Sequence, residues 1–203
     1  MNMRRRVIGA CVVTVAVFVT AGAAQQPGVH PVSGRVLALP MDVAGAPWLD
    51  RRERQAEENP DLAVRLIRVA RGSVVADLGA GSGYFTIRLA RAVGSAGKVY
   101  AVDIQSGMLE LLRRAVAKER LTNVIPVLAA EDDPRLPEQS LDLVLMVDVY
   151  HELSSPQVTL AHLKRALKPG GRLVLLEYRA GSRRPDPARA QDDEGAGQAR
   201  DRT

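Results

Sequence analysis

Between residues 60 and 178 the chain alternates short unbroken apolar runs with longer stretches in which apolar residues recur every three or four positions. The runs fall at 73–78, 98–103, 123–128, 141–147 and 172–178, and each reads as a strand. They are almost wholly apolar instead of alternating, as a strand buried on both faces of a sheet requires. The periodic stretches read as helices. Leu62, Leu66 and Ile67 form one face after Asn59-Pro60, where Asn59 can cap and Pro60 can take the first helical position. Phe85, Ile87, Leu89, Ala90 and Val93 form a second face, and Met108, Leu111, Leu112 and Val116 a third. A fourth helix covers 156–167 and is stopped by Lys168-Pro169-Gly170-Gly171. Residues 131–140 are an acidic, proline-containing loop. Strands alternating with helices predict an α/β fold, a doubly wound parallel sheet with right-handed crossovers.

The first strand ends in Asp77-Leu78-Gly79-Ala80-Gly81-Ser82-Gly83, after which the helical period begins. Glycines at every second position there predict a tight turn that lets a ligand approach bare backbone, with free N–H groups at the helix start. Asp77, Asp103 and Asp148 each fall at or near the end of a strand. Ligands of open parallel sheets sit at the carboxyl ends of the strands, so this shared position marks one rim as the site. The spacing excludes two familiar turns. A dinucleotide fingerprint would need a glycine where Tyr84 stands, and no Lys-Ser/Thr pair follows the glycines as a phosphate-binding loop demands. Asp142, at the start of its strand and far from that rim, reads as structural.

The ends of the chain read differently. Arg4-Arg5-Arg6, the apolar run 7–19 and Ala21-Gly22-Ala23 form a secretory signal peptide over residues 1–24, so an exported, periplasmic or secreted protein is expected. An uncleaved anchor formed by residues 7–23 is the alternative, and no stable membrane span is expected once the signal is cleaved. Residues 25–59 read as a proline-rich linker, interrupted by Trp48 beside a dense run of charge. That run reads as a packing anchor, with a ligand lid as the other possibility. Residues 180–203 are polar, of mixed charge and without an apolar strand, the composition of a disordered tail.

Charge matters less than it first suggests. The formal net charge of +5 falls to +2 once residues 1–24 are set aside, and aromatic residues make up only 3% of the chain, so no nucleic-acid partner is expected. The one cysteine, Cys11, lies in the signal run and leaves no disulfide framework. His30, His151 and His162 are not spaced as metal ligands, and no metal site is expected.

Asp77-x-Gly79-x-Gly81-x-Gly83 resembles the first motif of class I S-adenosylmethionine-dependent methyltransferases of the type 11/25 kind. Residues 99–103 resemble their second motif, Leu141-Asp142-Leu143-Val144 the start of their fourth strand, and Leu167-Lys168-Pro169-Gly170-Gly171 the turn into their fifth. The resemblance covers about residues 60–178, with the four motifs in order. It implies a Rossmann-like sheet of order 3-2-1-4-5, with no counterpart in residues 180–203 for that family's sixth and seventh strands. It also implies S-adenosylmethionine as cofactor. Gly79, Ala80, Gly81 and Gly83 would pass close to its methionine part, and Asp77 would lie near its ammonium. Asp103 would accept hydrogen bonds from the ribose hydroxyls, and Ile104 and Met108 would flank the adenine. Asp132 would approach the adenine amino group, with Glu131 or Ala130 as neighbouring choices.

Asp148, Tyr150 and His151 follow the fourth strand, where the family places substrate-facing groups. His151 is the candidate general base and Asp148 its orienter or a substrate contact, against a purely packing role for His151. The resemblance therefore implies methyl transfer to a small molecule or protein whose chemistry the sequence does not indicate. Two other functions stand beside it: a noncatalytic S-adenosylmethionine-binding domain, and a nicotinamide-dependent oxidoreductase, disfavoured by Tyr84.

Overall fold

A computed structural model describes residues 36–178, together with Gly28, Val29 and Gly34. The signal run, Cys11, His30 and the tail 180–203 lie outside the described residues. Five strands form one parallel sheet: β1 (Val74–Leu78), β2 (Lys98–Asp103), β3 (Val124–Leu128), β4 (Leu141–Val147) and β5 (Leu167–Leu176). Their order is β3-β2-β1-β4-β5, as expected. The helices are α1 (Ala46–Leu49), α2 (Glu53–Glu58), α3 (Pro60–Ile67), α4 (Tyr84–Val93), α5 (Ser106–Lys118) and α6 (Pro156–Ala166), with short 3-10 turns at Val43–Gly45 and Tyr150–Glu152.

The period-2 geometry of the strands sorts their side chains into two layers. Val75, Val99, Leu143 and Leu145 point to the face covered by α3 and α4, where Val64, Ile67, Phe85, Leu89 and Val93 close the core. Ala76, Leu78, Val102, Val144 and Met146 point to the other face, covered by α6 through Leu163 and Ala166. Both faces are buried at the central strands β2, β1 and β4, which is why they carry so few polar residues, while the edge strands β3 and β5 stay partly exposed. On α5, Met108, Leu109 and Leu112 are buried, whereas Leu111, expected inward, is only half-buried.

Local signals act where the pattern places them. Asn59 takes a left-handed conformation, φ 44°, and its side chain accepts a hydrogen bond from Leu62 N at 3.2 Å, with Pro60 opening α3. Asp142 is a bolt at the far edge: Oδ2 accepts from Val74 N at 2.8 Å and Oδ1 from Lys168 Nζ at 2.7 Å, joining three strands.

Two features depart from the expectations. β5 begins at Leu167 and not at Arg172, because Leu167 already pairs with Leu141 while Arg172 pairs with Leu143. The residues between them bulge from the ladder, with Gly170 at φ 80°, so the turn expected to precede the strand lies within it. The stretch expected as linker is folded from residue 36 onward. It holds two helices and a buried arginine, Arg54, which pairs with Glu58 through Nε at 2.8 Å. No helix among the described residues is long and apolar enough to cross a membrane.

Candidate active site

β1 delivers the turn 79–83 to the carboxyl rim of the sheet, between β2 and β4. Gly79, Gly81 and Gly83 all have positive φ, at 73°, 54° and 102°, a region in which side chains are strained. Gly79 is further constrained by space, because a Cβ there would lie 2.2 Å from Val149 Cγ2. The turn is not the set of free donors that its sequence suggests. Gly79 N and Ala80 N both donate to Val102 O, at 2.8 and 2.9 Å, Gly83 N donates to Ala80 O at 3.0 Å, and Gly81 N donates to Asp103. The glycines therefore provide bare, pre-shaped backbone, while β2 takes the amides of Gly79, Ala80 and Gly81 and the turn itself takes that of Gly83.

Asp103 closes β2 and is 7% exposed. One carboxylate oxygen accepts from Gly81 N at 2.8 Å and the other from Gln105 N at 2.9 Å. Burial raises its pKa, against the lowering effect of these backbone bonds. A carboxylate has about four acceptor sites, more than these amides occupy, so Asp103 can still accept from a ligand hydroxyl.

Asp77 is 2% exposed and faces α4, where Oδ2 accepts from Thr86 Oγ1 at 2.6 Å. Burial pushes its carboxyl from 3.8 up to about 6, with the Thr86 hydrogen bond opposing and the charge of Asp103 reinforcing the rise. The unfolded carboxyl titrates near 3.8, so between that value and about 6 the folded chain holds a proton that the unfolded chain has lost. Stability then falls as pH rises through this window and is flat above it. Asp77→Asn keeps an acceptor for Thr86 without the buried charge. It is expected to be more stable than the parent above pH 6 by up to about 3 kcal/mol, a gap that closes toward pH 4. Urea unfolding across that range measures it, and equal stability at every pH would contradict the buried charge.

The adenine-side candidates separate. Ile104 is 46% exposed at the rim, whereas Met108 is 1% exposed and offers the cleft no free surface. Asp132 and Glu131 are exposed on the loop after β3, and Ala130 N donates to Asp133 O at 2.9 Å.

β4 and β5 bring a second group together on the same rim. Asp148, at φ 54°, follows β4, and His151 lies in the 3-10 turn after it. His151 Nδ1 is 2.7 Å from Glu177 Oε2, and Glu177 Oε1 accepts from Tyr150 N at 2.8 Å. Glu177, just past β5, is thus an acid hydrogen-bonded to the imidazole, beside Asp148, which the sequence reading offers as its orienter. It was readable as one more acid at a strand end, the same signal that marks Asp77, Asp103 and Asp148. One ligand-capable atom from each of Asp148, His151 and Glu177 lies within 4.8 Å of the others. His151 is therefore grouped with Asp148, its near neighbour in sequence, and with Glu177, which β5 brings in from far along the chain. The arrangement suits a base with an orienting acid, since a carboxylate on one ring nitrogen fixes the orientation of the ring.

Residues 75–171 match the model of a family described as a methyltransferase domain. A hybrid PKS-NRPS synthetase of Penicillium oxalicum is 41% identical over 107 residues, 51% of this chain and 3% of the synthetase. A ubiquinone/menaquinone biosynthesis C-methyltransferase, UbiE, of Marinomonas sp. is 33% identical over 111 residues, 54% of this chain. The match spans 44% of that protein, so the chain corresponds to under half the length of these curated relatives. Among solved structures, an S-adenosylmethionine-dependent methyltransferase from Aquifex aeolicus is 31% identical, with a TM-score of 0.69. That likeness covers 73% of this chain and 80% of the other. Neither the noncatalytic nor the nicotinamide reading gains support from these relatives.

Proposed function

Since the chain belongs to the class I S-adenosylmethionine-dependent methyltransferase family, we propose that it transfers a methyl group from S-adenosylmethionine to an acceptor held at the ends of β4 and β5. One observation carries the cofactor half of this reading. It is a buried carboxylate, Asp103, whose two oxygens are each held by a backbone amide beside a turn of positive-φ glycines.

The residues present fit the group. Asp103 receives the ribose hydroxyls. Gly79, Ala80, Gly81 and Gly83 form the backbone surface against which the methionine part rests, with Asp77 as the carboxylate beneath it. A cationic ammonium near Asp77 favours the ionised form of that carboxyl and offsets the cost of its burial. Ile104 and Asp132 would hold the adenine, one by apolar contact and one by accepting from the amino group. S-adenosylmethionine supplies a methyl group on a sulfonium, ready for in-line displacement.

The protein's share is then to place and desolvate the acceptor. When bound, S-adenosylmethionine would supply the methyl group and would keep the electron pair of its carbon–sulfur bond as S-adenosylhomocysteine. Where that acceptor carries a proton, His151 would receive it, with the Glu177 carboxylate beside the imidazolium. Asp148 contacts the acceptor beside it.

Calorimetric titration with S-adenosylmethionine, S-adenosylhomocysteine and NAD tests the cofactor half, with binding expected for the first two alone. Transfer of labelled methyl into a cell extract tests the catalytic half. Binding of NAD alone would overturn the cofactor assignment, and tight cofactor binding without any transfer would overturn catalysis.

A further inference from the structure

The candidate base belongs to a group that two strand ends and one turn assemble. Asp148 is the first residue past β4, and its N–H donates to Leu176 O of β5 at 2.9 Å. His151 lies in the 3-10 turn that follows, where its O accepts from Ala38 N at 3.2 Å. Glu177 is the first residue past β5. Tyr150 N–H donates to its Oε1 at 2.8 Å, while its Oε2 lies 2.7 Å from His151 Nδ1. Backbone hydrogen bonds therefore position all three residues, as outer partners do for the ligands of a metal ion. The spacing along the sequence predicts no metal site, because Glu177 reaches the other two only through the pairing of β4 with β5.

The dimensions suit a small cation. Two ligands about 2.1 Å from a tetrahedral ion stand about 3.4 Å apart. That spacing falls between the 2.7 Å of the His151–Glu177 pair and the 4.8 Å within which all three ligand-capable atoms lie, so side-chain rotation can close the trio on an ion. The side chains of His151 and Glu177 are 23% and 27% exposed, which gives an ion access from solvent. One imidazole and two carboxylates suit a divalent transition-series ion better than Mg²⁺ or Ca²⁺, which prefer oxygen ligands alone. Three protein ligands also leave a coordination position open. The other described histidine, His162, has a different setting. Its Nδ1 is 3.5 Å from Asp133 Oδ1 and 2.8 Å from Arg165 Nη2, a cation already in the place a metal would take.

We propose that Asp148, His151 and Glu177 form a binding site for a divalent transition-series ion such as Zn²⁺, and that the metal-loaded state of His151 excludes its use as a base. The exclusion follows from the lone pairs of the ring. A neutral imidazole has one nitrogen that accepts and one that carries a proton. A metal ion takes the accepting nitrogen, whichever of the two it is, so the ring has no place left for a proton from an acceptor. Metal occupancy is then an off state for transfer. It is reached at the ends of β4 and β5 and leaves Asp103 and the turn 79–83 untouched. This regulatory half rests on the base reading above, whereas binding of the ion does not.

Calorimetric titration of the full chain, freed of metal, with Zn²⁺ and with Mg²⁺ tests the site. Zn²⁺ is expected to bind, and Mg²⁺ to bind more weakly by at least about tenfold. His151→Ala and the size-preserving Glu177→Gln are each expected to weaken Zn²⁺ by at least about 10- to 100-fold, the loss that removing even an outer partner of a ligand causes. His162→Ala is expected to leave it unchanged. Zn²⁺ affinity that is the same in the parent, His151→Ala and Glu177→Gln would overturn the site. For the exclusion, labelled methyl transfer is measured with Zn²⁺ at about ten times its dissociation constant and again after EDTA. Transfer is expected to fall about tenfold and then recover, with S-adenosylhomocysteine affinity unchanged. Transfer that Zn²⁺ leaves unchanged or raises would overturn the exclusion and leave the site standing. Zn²⁺ binding by a chain that transfers no methyl even after EDTA would overturn the base reading and the exclusion with it.

Discussion

Replacing Asp103 with alanine is expected to weaken S-adenosylhomocysteine binding by roughly 100- to 1,000-fold while leaving the sheet folded. Hydrogen bonds to a charged group contribute about 1.5–3 kcal/mol each, and under the cofactor reading this carboxylate would accept two from a ribose. The same oxygens hold Gly81 N and Gln105 N. Alanine therefore also releases the turn on one side and the start of α5 on the other, so part of the loss is preorganisation. Asp103→Asn keeps one acceptor oxygen and should fall between the two. Calorimetry beside a circular-dichroism melt separates binding from folding. A folded alanine variant that binds within tenfold of the parent would remove Asp103 from the cofactor site.

His151→Ala is expected to lower the methyl-transfer rate by about 100- to 10,000-fold, the usual range for removing a general base, with S-adenosylhomocysteine affinity little changed. The split between rate and cofactor affinity is the diagnostic feature, because a residue that only packs the loop after β4 would disturb both or neither. Glu177→Gln preserves the size of the side chain but removes the charge beside the imidazole. Its rate should fall less than that of the alanine variant, with cofactor affinity again preserved. Transfer by His151→Ala within about threefold of the parent would leave His151 a structural residue.

The fold was legible in the chain because its signals are local and redundant. Five apolar runs, four periodic stretches and the caps between them all agree, and a sheet buried on both faces leaves no other way to place such runs. The expected order of the strands matches the observed one. The start of β5 was misplaced because Lys168-Pro169-Gly170-Gly171 does mark a turn, and only pairing with β4 shows that Leu167 is already in the ladder. The stretch 36–59 read as linker because its helices are too short to show a period. They gain their order from Tyr84, Gly81 and Gln105, which lie well beyond them in sequence.

The candidate site divides along the same line. The sequence alone determined that Asp77, Asp103 and Asp148 share one rim, because strand direction in a parallel sheet brings every strand end to the same side. It also determined that the glycine turn ends β1, since three alternate glycines before a helical period suit little else. Only the tertiary structure decided what those groups do there. It spent the turn's amides on Val102 and Asp103, buried Asp77 against Thr86, sank Met108 into the core and set Glu177 against His151. Hydrogen-bond partners and desolvation depend on which strands become neighbours. β4 and β5 are adjacent in space, yet His151 and Glu177 stand 26 residues apart in the chain, a pairing that no local pattern records.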